Sequence, residues 1–186
     1  MSGVTSVLSG LHGALLLARG RADGVRHVGD DISAAARSFW AALLCAPIFV
    51  GVLLLSWVQS GRPTDPVHAL ALELLSFVIS WAGYAVLSRP LVAAFGRERR
   101  WPRFIAIWNW CNVVQYALLL VASVPGAVSA PFWLSDTMQL VGQGWALWLE
   151  WFAIGLALEV SGVQAAMVMA PDVLLGLLLA MVVAGG

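Results

Sequence analysis

Residues 101–120 read WPRFIAIWNWCNVVQYALLL, a hydrophobic run that carries Asn109, Asn112, Gln115 and Tyr116 where lipid would lie. Its length matches the roughly 20 residues a helix needs to cross a bilayer. On a helix Asn109, Asn112 and Tyr116 fall at i, i+3 and i+7 and share one face, with Gln115 beside it. An amide left without a partner in hydrocarbon costs several kcal/mol, so that face must look into a protein interior or a wet cavity. The expected fold class is therefore all-α: a polytopic membrane protein with a polar seam.

The rest of the chain agrees. Of 186 residues, 61% are hydrophobic and only 11% are charged, whereas a soluble domain carries about 25% charged residues. Ten basic residues, all arginine, balance ten acidic ones. No net field invites nucleic acid, and no interleaving of basic and aromatic residues suggests it as a partner. Cys45 and Cys111 each sit in an apolar segment with no CxxC and no nearby His, so both are assigned to packing and no metal centre is expected. HExxH, GxSxG and glycine-rich phosphate loops are absent, and hydroxyls such as Ser76 and Ser80 have no base beside them. No enzymatic activity and no cofactor are expected.

Before the central stretch lies Arg89–Arg103, RPLVAAFGRERRWPR, which holds five of the ten arginines and is expected to face the cytoplasm. Upstream of it a span is expected over about 67–88, with Glu73, Ser76, Ser80, Tyr84 and Ser88 forming a polar stripe that drifts slowly round the helix. The turn SGRPTDP separates it from a span over about 39–58, which contains Pro47 and has Trp40 and Trp57 near its ends as interface anchors. Residues 1–38 are neither long nor apolar enough to cross. Val4, Val7, Leu8, Leu11 and Leu15 oppose Thr5, Ser6, Ser9 and His12, the pattern of an amphipathic helix lying in the membrane interface. After a turn-rich break over 20–29, Asp30, Asp31 or Ser33 can cap a second helix that runs towards the membrane.

Beyond the central span, expected over about 104–123, comes the loop VPGAVSAPFWLSD, which has no basic residue. A fourth span over about 134–158 carries Gln139, Gln143 and Glu150 within a narrow arc, with Trp145, Trp148 and Trp151 off that arc. A fifth, over about 163–184, must use its full length to cross and so places Pro171 and Asp172 near mid-membrane. With five spans and a cytoplasmic N-terminus, every arginine except Arg62 lies inside and the C-terminus, through Gly186, lies outside. At about 1.5 Å rise per residue, Asn112, Glu150 and Asp172 reach one depth, and Glu73, Tyr116 and Gln143 a second one nearer the outside. No Lys or Arg lies within a span. Glu73, Glu150 and Asp172 must then be protonated, face water or hold a cation, unless they serve with the amides as interhelical glue.

Five spans, an amphipathic cytoplasmic N-terminus, a basic inner loop and a short outer C-terminus together resemble the Yip1-type family of small membrane proteins, in particular its bacterial members. The resemblance is carried by RSFWAALLCAPIFV, RERRWPRFIAIWNWCNVVQ and ALEVSGVQAAMVMAPDVLLGLLLA. It implies a membrane-organising or partner-binding role and transfers no functional residue, and the DLYGP-type signature of eukaryotic members is absent. The expected function is thus a non-enzymatic integral membrane protein that organises membrane or binds a membrane-protein partner or a second copy of itself. The alternative is a small proton- or cation-coupled transporter or channel using Glu73, Glu150 and Asp172, with Asn109, Asn112 and Gln143 as hydrogen-bonding neighbours. An arginine-only basic complement suggests a GC-rich bacterial genome and an inner-membrane location.

Overall fold

The structure, a computed structural model, describes residues 3–185. Among them every regular element is helical: α1 (Gly3–Leu17), a 3-10 turn (Ala22–His27), α2 (Ile32–Ser38), α3 (Trp40–Ser60), α4 (Pro66–Ala94), a short 3-10 turn (Glu98–Arg100), α5 (Trp101–Ala127), α6 (Phe132–Leu158) and α7 (Gly162–Gly185). Four segments are long and apolar enough to cross a membrane: 32–60, 66–94, 98–127 and 162–184. At 27 residues α6 matches α5 in length, but Gln139, Gln143, Glu150 and its tryptophans make it less apolar. Gly186 and the side chains of Val4 and Thr5 lie outside the described residues.

The chain is built round α5. Residues 104–111 are buried on every side, an unbroken run that no other helix matches, because α1, α2, α3, α4 and α6 all touch this helix. A helix apolar all round is a core helix when protein surrounds it. Antiparallel to it runs α6, in register over its whole length. Gly142 lets α6 approach Ala122 of α5, the Gln115 amide of α5 donates to the Ala146 carbonyl at 2.7 Å, and Arg100 at the start of α5 pairs with Glu159 just past the end of α6. Glu159 adopts a left-handed conformation, φ 51°, as it terminates α6.

The second pair is α4 with α7. Tyr84 of α4 donates its hydroxyl to the Val168 carbonyl of α7 at 3.1 Å. Here the helix outruns the expected loop. Pro90 was expected to lie in the connection, yet α4 continues through it to Ala94. Proline removes one helical hydrogen bond, but Val92 beyond it is fully buried, and Arg89 lies over the Trp101 ring at 5.8 Å. Packing on both sides of the proline holds the last turn in place.

Burial is uneven along the bundle. Near the arginine loop the helices are close-packed, with Tyr84, Val92, Phe104, Leu149, Leu158 and Val168 almost fully enclosed. Towards the opposite end large apolar side chains are exposed, among them Leu75, Val121, Leu140, Leu177 and Met181.

The N-terminal segment departs from its expected face. The residues that α1 buries are Gly10, Gly13, Ala14, Leu16 and Leu17, while Leu8 and Leu15 point outwards and Leu11 is half-buried. A Cβ on Gly10 would collide with the Trp110 ring of α5. Gly10, Gly13 and Ala14 together with Leu16 and Leu17 thus form the docking face, and Leu8 and Leu15 lie outside it. Of the three candidate caps for α2, Asp31 takes the role: its carboxylate accepts from the Ala34 N–H at 2.5 Å and from the Ser33 hydroxyl at 2.9 Å. The Ala34 N–H, followed by the hydroxyl, holds this carboxyl below its ordinary range.

Candidate functional site

Two kinds of polar group lie inside the bundle, and they separate cleanly. The first kind is satisfied. Asn109, expected on the same face as Asn112 and Tyr116, instead joins three helices: its Oδ1 accepts from the Trp81 indole N–H of α4 at 2.7 Å, and its Nδ2 donates to the Ser38 hydroxyl at the end of α2 at 2.7 Å. Ser38 passes its own proton to the Ala35 carbonyl. Asn109 lies only about 20° round the helix from Tyr116 but two turns nearer the arginine loop, where the end of α2 reaches it through Ser38. Ser88 likewise accepts from the Trp101 indole and donates to the Ala85 carbonyl.

The second kind lines a cavity of about 340 Å³ between the two helix pairs. From α5 it receives Trp108, Asn112, Gln115 and Tyr116, from α6 Gln143 and Glu150, from α7 Asp172, and from α4 Ser80 and Trp81. Helical spacing explains the α5 and α6 contributions: 108, 112, 115, 116 and 119 form one stripe, and 143, 146, 147 and 150 another. Five of the seven expected seam residues, Asn112, Tyr116, Gln143, Glu150 and Asp172, therefore meet in one space. The two depths inferred for them merge, because side chains from both layers reach the same cavity.

Glu73 does not join them. It is half-buried on α4 one turn beyond Phe77, outside the cavity, with no ion pair or side-chain hydrogen bond among the described residues.

At the base of the cavity Glu150 of α6 and Asp172 of α7 both line the wall beside Trp108. The Trp108 indole donates to Asp172 Oδ2 at 3.2 Å. Glu150 is only 7% exposed, and its Oε1 has no hydrogen-bond partner. An unsatisfied buried carboxyl oxygen is costly. The arginines at the start of α5 are engaged elsewhere: Arg100 is committed to Glu159, and Arg103 donates to the Val25 carbonyl at 3.3 Å. No basic residue lines the cavity. Asn112 turns its Nδ2 back to the Trp108 carbonyl at 3.0 Å, leaving its amide oxygen free towards the cavity.

The aromatic wall was not anticipated from the sequence. Trp81 and Trp108 meet edge to face at 5.3 Å, Trp81 stacks on Tyr116 at 6.4 Å, and Phe77 lies 5.3 Å from Trp81. A usable signal existed for Trp108, which lies one turn before Asn112 on the Asn112–Tyr116 face. Trp81 gave none, since an apolar aromatic beside a serine stripe reads as lipid-facing.

Cys45 and Cys111 are both buried free thiols, and no group of three or more metal-ligating side chains occurs among the described residues. No family model matches the chain, and neither a curated protein nor a solved structure does.

Proposed function

We propose that this chain is a small proton- or cation-coupled membrane transporter or channel whose working site is the Glu150–Asp172 pair. The observation that carries this is the pair itself: two acids from neighbouring helices face one cavity, one of them with an unpartnered buried oxygen, and no basic residue lines that cavity. Intramembrane acids are costly, and they persist where a proton or cation is handled. Interhelical glue accounts well for Asn109 and Ser88, each of which both accepts and donates a side-chain hydrogen bond. It does not account for Glu150.

The chain crosses a bacterial inner membrane five times, with the arginine loop in the cytoplasm and the C-terminus outside. What supports α6 as the fifth span is its alignment along the full length of α5, ending beside the start of that helix. In this arrangement α1 lies at the cytoplasmic interface, its outward Leu8 and Leu15 in lipid and its buried face on the bundle. The same exposed leucines, with Ile32 and Trp40, favour a second role as a Yip1-like organiser of membrane or partner proteins, and a homo-oligomer would cover part of the remaining apolar surface.

Reconstitution into liposomes tests the transport role. An imposed proton or sodium gradient should decay faster with the wild-type protein than in empty vesicles. Glu150→Gln and Asp172→Asn should each abolish the excess decay while thermal unfolding in detergent stays close to that of the wild type. Undiminished flux in both variants would remove the role.

A further inference from the structure

The cavity is larger, and more aromatic, than an inorganic ion requires. At about 30 Å³ per molecule of liquid water, its 340 Å³ would hold roughly ten waters around a bare cation. Two carboxylates alone also fall short of the six to eight oxygens a hard divalent ion collects. The lining combines two kinds of group. Glu150 and Asp172 supply charge, with the Trp108 indole bonded to Asp172, and Phe77, Trp81 and Tyr116 join Trp108 in a cluster of rings in mutual contact. Acids beside aromatic rings are an arrangement that holds an organic ammonium: the charge is matched by the carboxylates, and the N-bound carbons, which share that charge, lie on the rings. Away from the acids the lining gains apolar side chains, Leu119, Leu147, Val173 and Leu177, interspersed with Gln143 and Ser80. Leu177 is itself 58% exposed on the outer surface of α7, so the apolar part of the cavity reaches the lipid-facing side between the helix pairs.

From these features we infer that the ligand of this site is an organic ammonium carrying an apolar tail, which enters from the bilayer between the helix pairs and seats its headgroup between the Glu150–Asp172 carboxyls and the aromatic wall. The inference rests on the Glu150–Asp172 pair being the working site. It adds the class of ligand and the route. A chain-free ammonium arriving from water would use the same headgroup contacts without the apolar lining, so comparing the two separates the sources.

The full-length protein in lipid nanodiscs is titrated with decyltrimethylammonium, tetramethylammonium, sodium and decyl sulfate, following tryptophan fluorescence, since Trp81 and Trp108 line the site. Decyltrimethylammonium should give a saturable change and decyl sulfate none, with tetramethylammonium binding more weakly than its long-chain analogue. Glu150→Gln together with Asp172→Asn should weaken binding about tenfold or more. Tyr116→Leu should weaken it about two- to thirtyfold, the range of a single cation–π contact, whereas Tyr116→Phe should bind like the wild type and serves as the control for fold. Equal binding of decyl sulfate, or wild-type binding by Tyr116→Leu, would overturn the inference. So would carboxylate-dependent sodium or proton flux that no ammonium inhibits, and that result would leave the transport role standing. Carboxylate-dependent ammonium binding without any flux would support this ligand class and remove the transport role instead.

Discussion

Asn109 and Glu150 are both polar side chains buried among apolar neighbours, and they differ in how their hydrogen-bonding capacity is used. Asn109 has a partner at each end of its amide, whereas Glu150 has a carboxyl oxygen with none. Their substitutions should therefore separate stability from activity. Asn109→Leu leaves the Trp81 indole without an acceptor and the Ser38 hydroxyl without a donor, a loss of about 1–3 kcal/mol. It should lower the midpoint of thermal unfolding in detergent without discriminating between ligands. Glu150→Gln should do the reverse, sparing the midpoint and removing flux. Equal destabilisation by the two would mean that Glu150 is glue. Only the seam as a class was legible in the sequence: hydropathy and spacing marked Asn109, Asn112, Gln143, Glu150 and Asp172 as too polar for lipid, but not which of them would find partners. That depends on Ser38 and Trp81, which sit 71 and 28 residues from Asn109.

At the scale of the element, α1 and α2 form a cap whose attachment rests on the buried face of α1 and one carboxylate. Gly10→Val would drive a branched side chain into the Trp110 ring, so α1 should undock, with a loss of about 1–3 kcal/mol and faster hydrogen exchange over residues 10–17. The Asp31 cap should depend on pH. Its carboxyl is held below the ordinary range in the folded state, so the cap contributes fully above the unfolded-state value and is lost as pH falls through the lowered folded-state one. Acidification should therefore lower the protection of the Ala34 amide relative to its intrinsic exchange rate at each pH, and Asp31→Ala should show the lower protection already at neutral pH. The spans were readable because apolar runs of about 20 residues are a strong signal. The docking of α1 was not, because Gly10, Gly13 and Ala14 add little to a hydrophobic pattern. The continuation of α4 past Pro90 was hidden for a related reason: the support comes from Val92 in the core and from Trp101 on the next helix.

Over the whole molecule, α5 with α6 and α4 with α7 form two helix pairs, and the cavity lies between them. A five-span chain with its arginine loop inside predicts that a cysteine placed at Gly96, in a background lacking Cys45 and Cys111, reacts with a membrane-impermeant maleimide only from the cytoplasmic side. One placed at Gly61 should react only from outside. Reaction of both from one side would require an even number of crossings between them. The carboxylate pair itself is tested most directly by dicyclohexylcarbodiimide, a lipid-soluble reagent that attacks protonated carboxyls in apolar surroundings, with mass spectrometry locating the adduct. The account predicts an adduct on Glu150 or Asp172 whose formation slows when decyltrimethylammonium is present, while labelling of Glu73, outside the cavity, is unaffected by the ammonium. Labelling confined to Glu73, or labelling of the pair that no cation slows, would contradict it.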